Sequence, residues 1–313
     1  MSLSYGNNFV NLGTVSKSSP GNYLVSYRPS DPGYSVGDDI YSGYVYMPTP
    51  YGAIDLRIQV DNTTDANNIA QGVQTQFTLT TVTQPVQIAP RLTHSILTKG
   101  FDGSTTQKLL QLTARLTQFN LPEVAHDIAW VTATLRLAGL GSGSYVTPTG
   151  VNLTAAGATA RTIVTEARYK SANYDDLGND WSRLAGRLSG DFKSHYVIRS
   201  LVTAQGYLQL TPDQAVYPMY AVNSTHLANQ TYRLTFFGKP RVSGFWSLTV
   251  YGANVFLVPN ELDRYSLGDR SAITYPDGSL VYGGSGDSSD TTKPFEILLQ
   301  STDVIPPSNY CSK

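Results

Sequence analysis

The stretch "SGFWSLTVYGANVFLVPNELDRYSLGDRS", Ser243 to Ser271, decides how the chain is read. Through "FWSLTVY" the side chains alternate. Trp246, Leu248 and Val250 share one face and Phe245, Ser247, Thr249 and Tyr251 the other, which is the period of a strand with one face buried. Trp246 is then a core anchor. "VFLVP" is read as the next strand, and Pro259 ends it. Asn260 is placed to turn the chain by bonding nearby backbone. Arg264 carries a planar fork that either staples the loop to an acid or to carbonyl oxygens, or clamps an anionic ligand. Downstream, "YPDGSLVY" predicts a hairpin with Asp277 and Gly278 at its turn.

Outward from that stretch the texture is β, then helical, then β. From Leu208 onward, "PMYAVN", "TYRLTFFG", "FWSLTVYG", "VFLVP", "SLVYGG" and "FEILLQ" are short strands split by Gly, Pro and Asn turns. Residues 1–97 are also read as β. In "AIDLRIQV", Ala53, Asp55, Arg57 and Gln59 fall on one face, and Ile54, Leu56, Ile58 and Val60 on the core face. Between them lie helical patterns. "STTQKLLQLTARLTQF" has Ser104 or Thr105 as cap, and "LPEVAHDIAWVTATLRLAGLG" has Pro122 in its first turn and Gly139 or Gly141 as stop. "LTAAGATARTIVTEARYKSA" and "DFKSHYVIRSLVTAQGYL" follow, the last ending near Gly206. "NYDDLGNDW" is read as a turn-rich loop. The expected class is α+β, with two jelly-roll-like antiparallel β domains bridged by helices and borders at 1–97, 98–188 and 189–313.

Composition narrows the function classes. Of 313 residues only 14% are charged, below the ~25% of an average soluble chain. Ser, Thr, Gly, Asn and 21 Tyr fill the gap. Such surfaces are common in extracellular β proteins and hydrogen-bond polar ligands, although Thr and Tyr also simply favour strands. The net charge of −1, with no basic stripe, argues against a nucleic-acid partner. No apolar run reaches the ~20 residues of a membrane span. "MSLSYGNNFVNLG" shows no signal-peptide pattern, so the chain is either cytoplasmic or a mature form. A single cysteine, Cys311, rules out a disulfide framework. Sequons at Asn62, Asn152, Asn223 and Asn229 are few more than chance supplies, yet they fit an exported glycoprotein.

Known catalytic motifs are missing. The four His (94, 126, 195 and 226) have no ligand-like spacing, and no H-E-x-x-H or C-x-x-C occurs. No G-x-S-x-G or P-loop is present, and "GLGSGS" follows a helix, outside the dinucleotide-binding context. Asp175, Asp176, Asn179 and Asp180 present oxygens to a Ca²⁺ ion but without EF-hand spacing, and the favoured reading is a solvated, helix-capping loop. No metal or cofactor is expected. His195 lies four residues before Arg199 on one helix face, as a proton carrier or as an imidazole packed against a sheet.

These residues carry a family likeness. The opening stretch with its following "DGSL" resembles the C-terminal signature of the paired domains of unknown function 1254 and 1214 (DUF1254 and DUF1214). "GDFKSHYVIRSLVTAQGYL" and "AVYPMY" resemble the start of the second domain. "YGNNFVNLGTVSKSSPGNYLV" and "YSGYVYMPTPYGAIDLRIQV" resemble the later half of the first. His195 stands where the family often has Asp, and the family's Asp…Gly turn is here Asn223 and Ala228. The family's opening strands and its Asn-Trp-Leu-Pro-Ala-Pro segment are not seen. Open sheet edges would follow unless another chain covers them, so the chain is expected either to associate, for instance as a homo-oligomer, or to be a fragment of a longer protein. The resemblance implies two jelly-roll-like domains, often exported, and no established reaction.

The functional expectation is an exported two-domain protein acting on a small polar molecule as a cofactor-independent hydrolase, lyase or isomerase. His195 would carry the proton, Arg264 would orient an anionic group, and Tyr265 and Tyr251 would supply hydroxyls. Arg199, Asn260, Trp246 and Arg57 would bind. The alternative is a non-catalytic module that binds carbohydrate or protein.

Overall fold

The computed structural model describes residues 2–5, 8–11, 20–29, 31–55, 64–82, 88–141, 143–206, 209–220, 231–242, 244–261, 263–282 and 292–300. The chain divides into two compact units, Met1–Arg57 with Leu79–Tyr220 and Ile58–Thr78 with Ala221–Lys313. Helices and several small sheets are mixed, so the class is α+β. Among the described residues the largest sheets hold three strands.

The first unit opens with strands β1 (Ser2–Tyr5), β2 (Asn8–Asn11), β3 (Tyr23–Tyr27), β4 (Gly33–Val36), β5 (Gly43–Met47) and β6 (Ala53–Asp55). β1 is central between β2 and β6, both antiparallel to it. β5 is central between β3 and β4. It runs antiparallel to β4 but parallel to β3, which corrects the expectation of purely antiparallel sheets. The chain passes from β3 to the far side of β5 before returning through it, so β3 and β5 share a direction. Val45 and Met47 are buried there, packed by Tyr23, Val25 and Ile54. Arg57 and most of the predicted strand "AIDLRIQV" lie outside the described residues.

A helix corrects the β reading of residues 1–97. In the second unit, α1 (Thr64–Gln76) is rich in Ala, Gln and Asn with Asp65 in its first turn, where the helix dipole favours an acid. Thr75 and Gln76, expected in a strand, are its last turn.

Back in the first unit come α2 (His94–Thr98), α3 (Thr105–Thr117), α4 (Asp127–Leu137) and α5 (Leu153–Tyr169). Ser104 caps α3 in a full capping box with Gln107. α4 begins at Asp127, later than the Pro122 start expected. Gly139 stops it at φ +84, where a Cβ would stand 1.9 Å from the Val146 carbonyl oxygen. β7 (Leu140–Gly141) and β8 (Ser144–Tyr145) form a small hairpin after it.

The expected loop "NYDDLGNDW" is instead a hairpin of β9 (Tyr174–Gly178) and β10 (Trp181–Leu184). Asn179 and Asp180, at φ 50 and 62, make the two-residue turn that matches strand twist. Then α6 (Tyr196–Gln205) ends at Gly206, and β11 (Met219–Tyr220) adds to β10. Leu184, Ala185, Leu188, Phe192, Ile198 and Val202 form the core here, joining the hairpin to α6.

In the second unit, β12 (Tyr232–Phe236) pairs β15 (Phe295–Leu299), and β13 (Ser247–Thr249) pairs β14 (Ser266–Gly268). "VFLVP" forms only a bridge, Leu257 to Tyr251, rather than the strand expected. The Asp277–Gly278 turn is as expected: Gly278 has φ +84, Tyr275 N–H donates to the Ser279 carbonyl at 2.8 Å, and Thr274 bridges Leu280. Ile273, Tyr275, Val281, Phe295 and Ile297 are the core. Phe295 stacks on Phe236 at 4.6 Å, and Trp246 and Tyr282 complete the aromatic cluster.

Candidate functional site

In the first unit α3, α4 and α6 border a cleft of about 210 Å³. Thr117, Asn120, Leu121 and Pro122 come from the end of α3 and the segment after it. Val131, Thr132 and Leu135 come from α4, and Tyr196 and Arg199 from α6. A shallower depression shares Tyr196 and Arg199 and follows α6 through Ser200, Thr203 and Ala204. The α3 end is tightened by Phe119 N–H donating to Leu116 O and Asn120 N–H to Thr117 O, which turns the chain toward Pro122.

Behind Tyr196 sits a carboxylate that reading of the sequence did not single out. Asp127 is 2% exposed, in the first turn of α4. The Tyr196 hydroxyl donates to its Oδ2 at 2.8 Å, and Trp130 Nε1 donates to its Oδ1 at 2.9 Å. His126 Nε2 lies 3.1 Å from the same Oδ1, with the imidazole itself 78% exposed. The Trp130 and Tyr196 rings meet edge to face at 5.7 Å. Ser194, Trp130 and Tyr196 all bond the carboxylate, with Ser194 the strongest influence. Together with His126 they hold Asp127 below the usual carboxylate range, against the opposing effect of burial. Burial, and then the bond to Asp127, push Tyr196 up to about 12, while the nearby Arg199 charge pulls the other way. The network therefore fixes the Tyr196 wall of the cleft as a neutral phenol on an ionised acid. "HDIAW" carried a usable signal, since Asp127 and Trp130 are three apart on one helix face.

His195 is exposed and is the N-cap of α6, without a side-chain capping bond. Its carbonyl accepts the Arg199 N–H at 3.0 Å, so the two expected partners share the first turn of that helix. Arg199 is half-buried and engaged within the chain.

The other expected site residues belong to the second unit. Asn260 Oδ1 accepts the Arg264 N–H and Asn260 Nδ2 donates to the Arg264 carbonyl, both at 3.0 Å. The polar crowd after Pro259 is thus tied by Asn260 through the main chain of Arg264. The Arg264 side chain is exposed and engaged within the chain. Tyr265 lies 3.4 Å from Asp263 Oδ1 through its hydroxyl, and Tyr251 is 59% exposed. Trp246 anchors the core, its Nε1 donating to the Tyr282 hydroxyl at 2.9 Å. Arg57 lies outside the described residues.

Among the described residues no three His, Cys, Asp or Glu side chains gather as a metal site. In the β9–β10 hairpin Asp175 pairs with Arg183 at 3.1 Å, and Asp176 accepts the Gly178 N–H at 2.8 Å. No helix among the described residues is long and apolar enough to cross a membrane.

Comparison with known proteins places the two ends of the chain. The family model of DUF1254, a protein of unknown function, matches residues 2–81, and that of DUF1214, also of unknown function, matches residues 214–292. The cleft, from Thr117 to Arg199, falls between the two matched spans. No curated protein and no solved structure matches the chain. The two matches follow the order implied by the motifs at either end, although "GDFKSHYVIRSLVTAQGYL" lies just before the second matched span.

Proposed function

We propose that this protein is a binding module that takes a small polar molecule in the α3–α4–α6 cleft. The observation that carries this is the lining. Apolar walls from Leu121, Pro122, Val131 and Leu135 face a few polar groups, Arg199, Asn120, Thr132 and Tyr196. Ligand sites have that composition, apolar surface for contact and sparse polar groups for orientation. The locked Tyr196 keeps the wall preformed, which lowers the ordering cost of binding. The cleft is smaller than the roughly 300–1,000 Å³ of drug-sized sites. It has room for roughly seven water-sized atoms at about 30 Å³ each.

The four candidate catalytic groups divide between the units, His195 in the first and Tyr251, Arg264 and Tyr265 in the second. The cleft is built within one unit. Saturation-transfer NMR of the full chain with pooled small polar metabolites tests the proposal. Selected members should receive magnetisation from the wild type and not from Leu135→Trp, which fills the cleft. Equal transfer in both proteins, or none in either, contradicts it.

The same proposal places the chain outside the cytoplasm. The sparse charge and the exposed Asn152 sequon support that placement. A glycosidase-sensitive mass on the native protein would bear it out, and an unmodified protein in the host cytoplasm would refute it. A jelly-roll architecture for the second unit is supported by the in-out alternation of β12 and β15. An experimental structure of the full chain decides that point, and light scattering decides the proposed homo-oligomer.

A further inference from the structure

We infer that the cleft selects a short aliphatic monocarboxylate, an inference that rests on the binding proposal above and narrows it to one ligand class. Among the cleft-lining residues Arg199 alone is charged. Its planar fork matches the two oxygens of a carboxylate. Arg199 already serves a partner within the chain. A guanidinium has five N–H donors, so a second acceptor can share it.

The neutral polar groups argue against a polyol. The Thr117 hydroxyl donates to the Thr113 carbonyl at 2.6 Å, and the Tyr196 hydroxyl donates to Asp127 at 2.8 Å. Their protons are committed, which leaves Asn120 and Thr132 as the neutral donors of the lining. A sugar entering the cleft would bury several hydroxyls against Leu121, Pro122, Val131 and Leu135, and each unpaired one is costly. An aliphatic body has no such cost and gains from the same walls. The room for roughly seven water-sized atoms suits a carboxylate on a short chain.

The test is calorimetric titration of the full chain with butyrate, its neutral isostere butyramide, inorganic phosphate and glucose. Butyrate should bind in the millimolar range or tighter, about tenfold more tightly than butyramide, the difference made by one charge-assisted bond. Arg199→Lys should keep part of that preference and Arg199→Met should abolish it. Leu135→Trp should abolish butyrate binding altogether. Equal binding of butyramide and butyrate, both lost in Leu135→Trp, overturns the carboxylate inference and leaves the binding site standing. Preference for phosphate or glucose also overturns it. If no probe binds and the pooled metabolites of the previous section also fail, site and ligand class fall together. The butyrate–butyramide contrast is read on the wild type, so misfolding of an Arg199 variant does not remove the test.

Discussion

Asn260 grips Arg264 by its main chain, accepting its N–H and donating to its carbonyl at 3.0 Å each. A side-chain amide thereby acts as a strand partner and closes the loop that follows Pro259. Asn260→Ala removes both bonds and should cost roughly 1–2 kcal/mol, at about 1 kcal/mol per partly exposed hydrogen bond. Asn260→Asp keeps the acceptor and should cost about half as much. Arg264→Ala leaves both bonds in place and should cost less than Asn260→Ala. Urea unfolding curves provide the comparison. An Arg264→Ala loss equal to that of Asn260→Ala would mean that the Arg264 side chain is the staple.

The Asp127–Tyr196 pair gives stability a defined pH window. Asp127 is held below its ordinary range, so its contribution is present above the ordinary carboxylate value of about 3.9 and is lost as pH falls through the lower folded value. Tyr196 is shifted the other way, from 10.0 to about 12. Its contribution is complete below pH 10.0 and is lost as pH rises toward about 12. Thermal melts across pH should show a plateau with two falling limbs. Asp127→Asn should make the acid limb shallower and Tyr196→Phe the alkaline one, each with a lower plateau, the remaining slopes coming from Asp38 and Asp277 on the acid side and Tyr44 on the alkaline side. An unchanged alkaline limb in Tyr196→Phe would contradict this assignment.

The aromatic cluster of the second unit should dominate its stability. Phe295 is fully buried and stacks on Phe236 with Trp246 and Tyr282 close by. Phe295→Ala should cost roughly 3–5 kcal/mol. Trp246→Phe keeps most of the packing and loses the bond to Tyr282, so it should cost less, about 1–2 kcal/mol. Loss of near-ultraviolet circular dichroism at lower denaturant would report both, and a tolerated Phe295→Ala would place the core elsewhere.

The β9–β10 turn is testable by backbone preference alone. Asp180 sits at φ 62, a conformation glycine adopts freely. Asp180→Gly should hold or raise stability, whereas Asp180→Val should lower it by about 1–2 kcal/mol. A destabilising Asp180→Gly would mean that the carboxylate, rather than the backbone, matters at that turn.

The legible parts of the fold were those whose signals are local. Ser104 and Gln107 announce α3, Gly206 closes α6, and Asp277 with Gly278 makes a hairpin, each within a few residues. The β9–β10 hairpin escaped because "YDDLG" is polar and its pairing, rather than any alternation, makes it a strand. α1 escaped for a similar reason, since Ile69 and Val73 give it only a thin apolar stripe. The cleft was half legible. Arg199 was identified through its spacing from His195. Asp127 was passed over because its partner Tyr196 is 69 positions away, and only the packing of α4 against α6 brings them together. Sequence pattern likewise does not show that His195 and Arg264 belong to different compact units.

The most direct measurement is a methyl-labelled NMR titration of the full chain with butyrate, observing Val131 and Leu135. Saturable shifts at these two methyl sets, absent in Arg199→Met, are the expected result. Shifts that spread over the surface without saturation, or that leave Val131 and Leu135 unmoved, would contradict the account of the cleft.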